Sequence, residues 1–212
     1  MKTRQEIKQI AKERLRENRG NCIGVYVLFV IAASVLGGVT MGLAALVLMP
    51  VLTVAVSGWY LRVYRGENLS VSEWFTGMFD GFGRKWLGMF WMGLKVFLWS
   101  LLFLIPGIIK GYAYFLTPYI LAEYPNVAAK DATVLSDKMT KGYKMDIFVA
   151  ELSFLGWILL SVLTFGILQI LHVGPYMTLT FSGIYEELKQ NALANGTVKP
   201  EELEDGAVGT VY

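Results

Sequence analysis

Nearly all the charge in this sequence lies in four segments, 2–19, 62–85, 130–146 and 186–205, and the stretches between them are long and apolar. A bilayer's hydrocarbon core is about 30 Å thick and a helix rises about 1.5 Å per residue, so about twenty apolar residues cross it. Within lipid every backbone N–H and C=O must find its partner inside the segment, which makes such stretches helices. Only 17% of the 212 residues are charged, against about a quarter in soluble domains. The expectation is an all-α membrane protein with one polytopic domain, 1–190, and a polar cytoplasmic tail, 191–212.

Six spans are expected, at 21–36, 41–61, 86–108, 110–123, 147–171 and 174–188. They pair as three hairpins, each preceded by an amphipathic interfacial helix, at 3–18, 70–83 and 127–142. In the first of these helices Ile7, Ile10, Ala11 and Leu15 share a face, and Lys8, Lys12 and Arg16 stand around it, placed to meet anionic headgroups. The second carries Trp74, Phe75 and Phe79 on one face and is followed by Arg84 and Lys85. These eight residues are the interfacial or lipid-contact candidates. Ser70 with Glu73 has capping-box spacing and Leu69 with Trp74 that of a hydrophobic staple. The third has a weaker apolar face through Ala128, Ala132, Leu135 and Met139. Gly37-Gly38 is expected to separate the first two spans and Pro106-Gly107 to end the third. Pro50 lies inside the second span, where a proline kinks the helix unless neighbours satisfy the freed carbonyl, so a local kink is expected there.

One phrase is written twice. Pro50-Val51-Leu52-Thr53-Val54-Ala55-Val56-Ser57-Gly58-Trp59-Tyr60 and Pro175-Tyr176-Met177-Thr178-Leu179-Thr180-Phe181-Ser182-Gly183-Ile184-Tyr185 share Pro, Thr, Ser, Gly and Tyr in register. Pro118-Tyr119 echoes the opening. Each copy closes an apolar stretch, which implies a parallel internal repeat. Pro50, Ser57, Gly58 and Tyr60, with Pro175, Ser182, Gly183 and Tyr185, are its repeat and packing positions, the Ser-Gly pairs allowing close helix approach.

Orientation follows from the basic residues. Of nineteen, seven precede the first span, four lie in 62–85, four in 130–144 and two in the tail. Lys110 alone falls in an opposite-side turn, and Lys95 inside a span. Six spans then put both termini in the cytoplasm. The long charged N-terminal region, containing Glu6, Glu13 and Glu17, does not read as a cleaved signal peptide.

Lys95 is the sharpest single residue, about 15 Å along its helix from the Arg84-Lys85 interface. A cation at that depth costs roughly 2.5–3.5 kcal/mol on insertion scales and invites a functional reading with a named partner. Glu151 is the candidate partner. The pair reads as an ion or proton relay, or Lys95 as an anchor for an anionic headgroup; the plainer reading is a tie between helices or a lysine snorkelling to the interface. His172 is the one histidine, which excludes a His-based metal cluster and leaves a Ser-His-Asp triad without support. There is no phosphate loop and no nucleophile elbow. Cys22 is the one cysteine, so no intramolecular disulfide forms. No cofactor is expected.

Several motifs carry a family resemblance: 105–110 (Ile-Pro-Gly-Ile-Ile-Lys), 120–125 (Ile-Leu-Ala-Glu-Tyr-Pro), Lys138-Met139 through Gly142-Tyr143-Lys144, and 152–157 (Leu-Ser-Phe-Leu-Gly-Trp). With the basic N-terminal helix, they make residues 3–190 resemble the bacterial integral membrane family catalogued as domain of unknown function 975. The resemblance implies a multi-pass protein of the bacterial plasma membrane with no assigned activity. It also implies a distant likeness to the membrane portion of some glycerophosphodiester phosphodiesterases, whose soluble catalytic domain this sequence lacks. The leading expectation is a non-enzymatic membrane protein engaging membrane lipids, a membrane-protein partner or further copies of itself, and no nucleic acid. The alternative is a small transporter or channel with Lys95 and Glu151 lining the path.

Overall fold

The computed structural model describes residues 2–39, 42–102 and 104–206. Among these the chain is helical throughout: α1 Arg4–Glu17, α2 Arg19–Val39, α3 Leu43–Tyr64, α4 Val71–Phe79, α5 Phe82–Leu102, α6 Leu104–Ala113, α7 Thr117–Glu123, α8 Asp131–Thr140, α9 Lys144–Leu152, α10 Leu155–Leu163, a π-helical turn Gln169–Val173, α11 Gly174–Ala194 and α12 Pro200–Glu204. Three helical stretches are long and apolar enough to cross a membrane, Arg19–Gly38, Leu43–Tyr64 and Lys144–Leu163. The last comprises α9 and α10, joined through a turn at Ser153-Phe154. α5 matches them in length but carries Arg84, Lys85 and Lys95.

Local signals explain several boundaries. α1 opens on a capping box, the Glu6 carboxylate accepting from the Thr3 N–H at 2.6 Å and the Thr3 hydroxyl from the Glu6 N–H at 3.3 Å. At α4 the Ser70 N–H donates to Glu73 at 2.7 Å, and the stapling residues Leu69 and Trp74 are both buried. α3 runs through Pro50 without interruption. Proline has no N–H to give the Leu46 carbonyl one turn back, and the Trp86 indole of α5 supplies the missing donor at 3.2 Å.

Four expected boundaries are corrected. α2 continues across Gly37-Gly38 to Val39. α5 ends at Leu102 and α6 starts at Leu104, and Ser100 of the first packs against Gly107 of the second so closely that a Cβ on Gly107 would collide with it. Pro106-Gly107 therefore lies in the first turns of α6, a position that tolerates proline because the first N–H groups of a helix are unpaired anyway. The expected span 110–123 is broken into α6 and α7 at residues 114–116. Residues 147–171 are broken as well: the chain turns at 164–166, where Phe165 and Gly166 both take positive φ, and the π-helical turn leads straight into α11.

The core lies where α3, α7 and α11 meet, with α1 and α8 packed on it. Gly58 faces Ala122 across the α3–α7 contact, and a Cβ on Gly58 would stand 2.7 Å from the Ala122 Cβ. Gly183 leaves room for the Tyr64 ring and Ile7, and Tyr119 stacks on Tyr185 with centroids 5.1 Å apart. The C-terminal ends of these three helices are tied by charge: Arg65 donates to Glu123 at 2.6 Å and to Glu186 at 2.7 Å, and Lys189 to Glu123 at 2.9 Å. Lys2 joins α1 to Glu187 at 2.7 Å through its N–H. This charged end contrasts with the opposite end and flank, where large apolar side chains face outward, among them Leu43, Leu46, Leu101, Ile105, Leu159, Leu163 and Phe165.

The expected polar tail is also corrected. α11 extends to Ala194, Val198 and Leu203 are buried, and Glu202 pairs with Lys138 of α8 at 2.7 Å. The tail is therefore folded onto the bundle as far as residue 206, because its two apolar side chains and one carboxylate find partners there. Residues 207–212 lie outside the described residues.

Candidate functional site: a lysine cluster between α5, α6 and α8

Helical spacing builds this site. Trp91, Lys95 and Trp99 stand four residues apart on α5 and so share one face. Lys110 and Tyr114 repeat the spacing at the end of α6, and Thr133 and Asp137 on α8. The Lys95 ammonium donates to the Thr133 hydroxyl at 2.7 Å and sits over the Trp91 and Tyr114 rings at 5.6 and 5.5 Å. Lys110 donates to Asp137 at 2.9 Å and lies over the Trp99 and Tyr114 rings at 5.7 and 5.5 Å. Lys144, at the start of α9, donates to the other Asp137 oxygen, also at 2.9 Å.

The charge is unbalanced. Asp137 serves two lysines, and Lys95 has no carboxylate within ion-pairing distance among the described residues. Burial opposes ionisation of Asp137, yet the Lys110 and Lys144 ammonium groups hold its carboxyl below the ordinary value. The Trp91 and Trp99 rings remain outward-facing, 38% and 42% exposed. They put an aromatic rim beside the cations.

The position of α8 follows from the break between α6 and α7. The Ala113 carbonyl and the Leu116 N–H lose their helical partners there. Ser136 donates to that carbonyl at 2.8 Å and accepts from that N–H at 3.1 Å, and Thr140 adds a second bond to the carbonyl at 3.1 Å. Ala132, Leu135 and Met139, the apolar face read from the sequence, are buried in the same contact, while Ala128 is exposed. α8 thus fixes Thr133 and Asp137 opposite the lysines.

The structure does not bring Lys95 and Glu151 together. Glu151 accepts from the Tyr112 hydroxyl at 2.5 Å. Lys110 and Tyr112 are two apart on α6 and leave it on opposite sides, so Lys95 joins the group on one side and Glu151 the other. Lys110 is not in an opposite-side turn either. It lies about 9 Å along α6 from its start, beside Asp137 and Lys144.

The lipid-contact candidates divide. Lys12, Arg16, Phe75 and Phe79 are exposed. Lys8 donates to the Ser153 hydroxyl at 2.6 Å and stands 4.3 Å from the Phe154 ring centroid. Trp74 is buried. Arg84 donates to the Leu121, Tyr124 and Val127 carbonyls at 2.6–3.1 Å, capping the end of α7, and the buried Lys85 donates to the Gly77 carbonyl. Helix C-termini carry unpaired carbonyls and attract cations, which draws these two inward. Among the eight repeat positions, Tyr60 and Tyr185 are fully buried, bonding the Cys22 carbonyl and Glu123 at 2.6 Å each.

Residues 101–192 match the family described as Protein of unknown function (DUF975). The DUF975 match agrees with the resemblance carried by the 105–110 and 120–125 motifs, over a shorter range than 3–190. It takes in Lys110, Tyr114, Thr133, Asp137, Lys144 and Glu151, while Trp91, Lys95 and Trp99 precede it. No curated protein and no solved structure matches the chain.

Proposed function

We propose that the protein is a non-enzymatic, multi-pass protein of the bacterial plasma membrane whose lysine cluster seats the phosphate of an anionic lipid. The observation that carries this reading is Lys95, a cation with no carboxylate within ion-pairing distance among the described residues, Asp137 and Asp131 acting on it only from further off, flanked by outward-facing tryptophans on a helix whose other exposed residues are apolar. A phosphodiester supplies the missing negative charge, its acyl chains lying along α5 and α6. Indole rings favour the headgroup level.

Six passes, both ends of the domain at the cytoplasmic face, complete the reading. α2 and α3, α5 with α6–α7, and α9–α10 with α11 form three hairpins, preceded by α1, α4 and α8. The charged end holds the near-side lysines and arginines, in keeping with the positive-inside rule. The two copies of the repeated phrase support a parallel repeat. Thr53 and Ser57 each bond the carbonyl four residues back at 2.8 Å, and Thr178 and Ser182 do the same at 2.9 and 3.0 Å.

The test is lipid retention by the purified full chain, read by native mass spectrometry. Phosphatidylglycerol is expected to be retained in preference to phosphatidylcholine. Each lysine near a phosphate contributes about 1 kcal/mol, so Lys95→Gln with Lys110→Gln costs about 2 kcal/mol, roughly thirty-fold in affinity. Equal retention of the two lipids, or an unchanged preference in the double variant, refutes the proposal. Proteoliposomes are expected to show no ion flux, since Lys95 and Glu151 lie on opposite sides of α6; flux lost in Lys95→Met restores the transporter reading.

A further inference from the structure

A second site lies at the charged end, separate from the lysine cluster. A half-open cavity of about 370 Å³ is bordered by α3, α4, the start of α5 and the end of α7, within the size range of small-molecule sites. Apolar side chains of α3 line one part of it, with three basic and four acidic residues around the rest. Most of these charges are engaged: Arg62 with Glu67 at 2.7 Å, and Arg65 with Glu123 at 2.6 Å.

Three groups on the wall are not fully engaged. Trp74 is 2% exposed and its indole N–H has no acceptor among the described residues. A buried donor left unpaired is costly, and such groups in native proteins point to a missing partner. Lys85 is 6% exposed and makes one hydrogen bond, to the Gly77 carbonyl at 2.7 Å, although an ammonium carries three N–H groups. Asp80 makes no hydrogen bond or ion pair among the described residues, and its charge acts on Lys85.

We propose that this cavity binds a small zwitterion, its oxyanion accepting from the Trp74 indole and the Lys85 ammonium and its own ammonium facing Asp80. A simple anion meets more carboxylates than cations. A simple cation leaves the indole N–H unpaired and faces Lys85. A molecule carrying both charges a few bonds apart satisfies both sets of groups, with a compact apolar portion against α3. Two sources share this chemistry, a free amino acid and an ethanolamine-phosphate lipid headgroup, since α4 covers the cavity with Trp74 while its Phe79 is 73% exposed on the other side.

The experiment is isothermal titration of the delipidated full chain with phosphoethanolamine, glycine, ethanolamine and inorganic phosphate, with native mass spectrometry of phosphatidylethanolamine against phosphatidylglycerol. At least one zwitterion, soluble or lipid, is expected to bind at least about ten-fold tighter than the single-charge probes or the anionic lipid. Trp74→Phe keeps an aromatic ring beside Leu69 and removes the N–H, so affinity is expected to fall roughly 5- to 100-fold; the smaller ring leaves a void that by itself lowers the ligand-free melting temperature, and circular dichroism of the ligand-free variant checks that its helices are kept. Asp80→Asn is expected to erase the preference for the zwitterion over phosphate. Glycine binding alone assigns a free amino acid; retention of phosphatidylethanolamine assigns the lipid. The proposal is overturned if neither zwitterions nor that lipid bind, if phosphate binds as tightly, if the folded Trp74→Phe variant binds with unchanged affinity, or if Asp80→Asn keeps the preference for the zwitterion.

Discussion

Replacing Ser136 by alanine tests how α8 is held in place. The Ser136 hydroxyl bonds two backbone groups orphaned between α6 and α7, donating to the Ala113 carbonyl at 2.8 Å and accepting from the Leu116 N–H at 3.1 Å. In the variant the carbonyl keeps its bond from Thr140, so only the N–H is stranded. Ser136 is fully buried, and an unsatisfied buried donor costs about 1–3 kcal/mol. Thr140→Val, which removes the hydroxyl and keeps the buried methyl, is milder, below about 1 kcal/mol, because Ser136 still serves the same carbonyl. The double variant strands both groups and is expected to exceed the sum of the single losses, since the two hydroxyls share an acceptor. Denaturation in mixed micelles, followed by circular dichroism for all four proteins, supplies the cycle. A Thr140→Val loss equal to or larger than that of Ser136→Ala, or strict additivity, refutes the reasoning.

Trp86→Phe is expected to cost about 1 kcal/mol by removing the donor to the Leu46 carbonyl; Pro50→Ala restores the helical N–H, so the Trp86 substitution becomes neutral in that background, and a melting-temperature cycle checks this. Gly58→Ala places a Cβ 2.7 Å from that of Ala122 and is expected to destabilise by about 1–3 kcal/mol in the same assay; a rise in stability contradicts the close α3–α7 approach. Asp137 and Glu202 are both held below their ordinary carboxylate values. The unfolded chain therefore takes up these protons first as pH falls, so their contribution is complete above about pH 4.5 and is lost below it as pH drops through the lowered folded values. Thermal scans between pH 7 and 3 are expected to show that fall, and Asp137→Asn to flatten part of it while lowering stability at pH 7.

Local signals in the sequence translate directly into structure at several points. The Thr3-Glu6 and Ser70-Glu73 spacings produce the starts of α1 and α4, and Leu69 and Trp74 are buried as a staple requires. Pro50, where a local kink was expected, lies instead in a helix that is uninterrupted from Leu43 to Tyr64, because the freed Leu46 carbonyl is taken by the Trp86 indole, a residue no local pattern placed there. The lysine site was partly legible, since Trp91, Lys95 and Trp99 share a face by spacing alone. Thr133 as the partner of Lys95 was not, nor were Lys110, Asp137 and Lys144 as one group, because these residues come from four helices up to 49 positions apart. The capping role of Arg84 was equally hidden, since it depends on the end of α7 arriving beside the start of α5.

By itself, the sequence determined the class of fold: apolar stretches between charged segments make helices, and short-range caps set where α1 and α4 start. These are properties of neighbours within one or two turns, where spacing is geometry. The tertiary structure alone decided which side chain each buried cation meets, why α8 turns inward and where the Trp74 indole is left without a partner among the described residues. Those outcomes depend on which helices become neighbours and at what depth. Hydrophobic burial selects the faces that pack without specifying the polar partners brought along, so Lys95 found Thr133 where spacing pointed to Glu151.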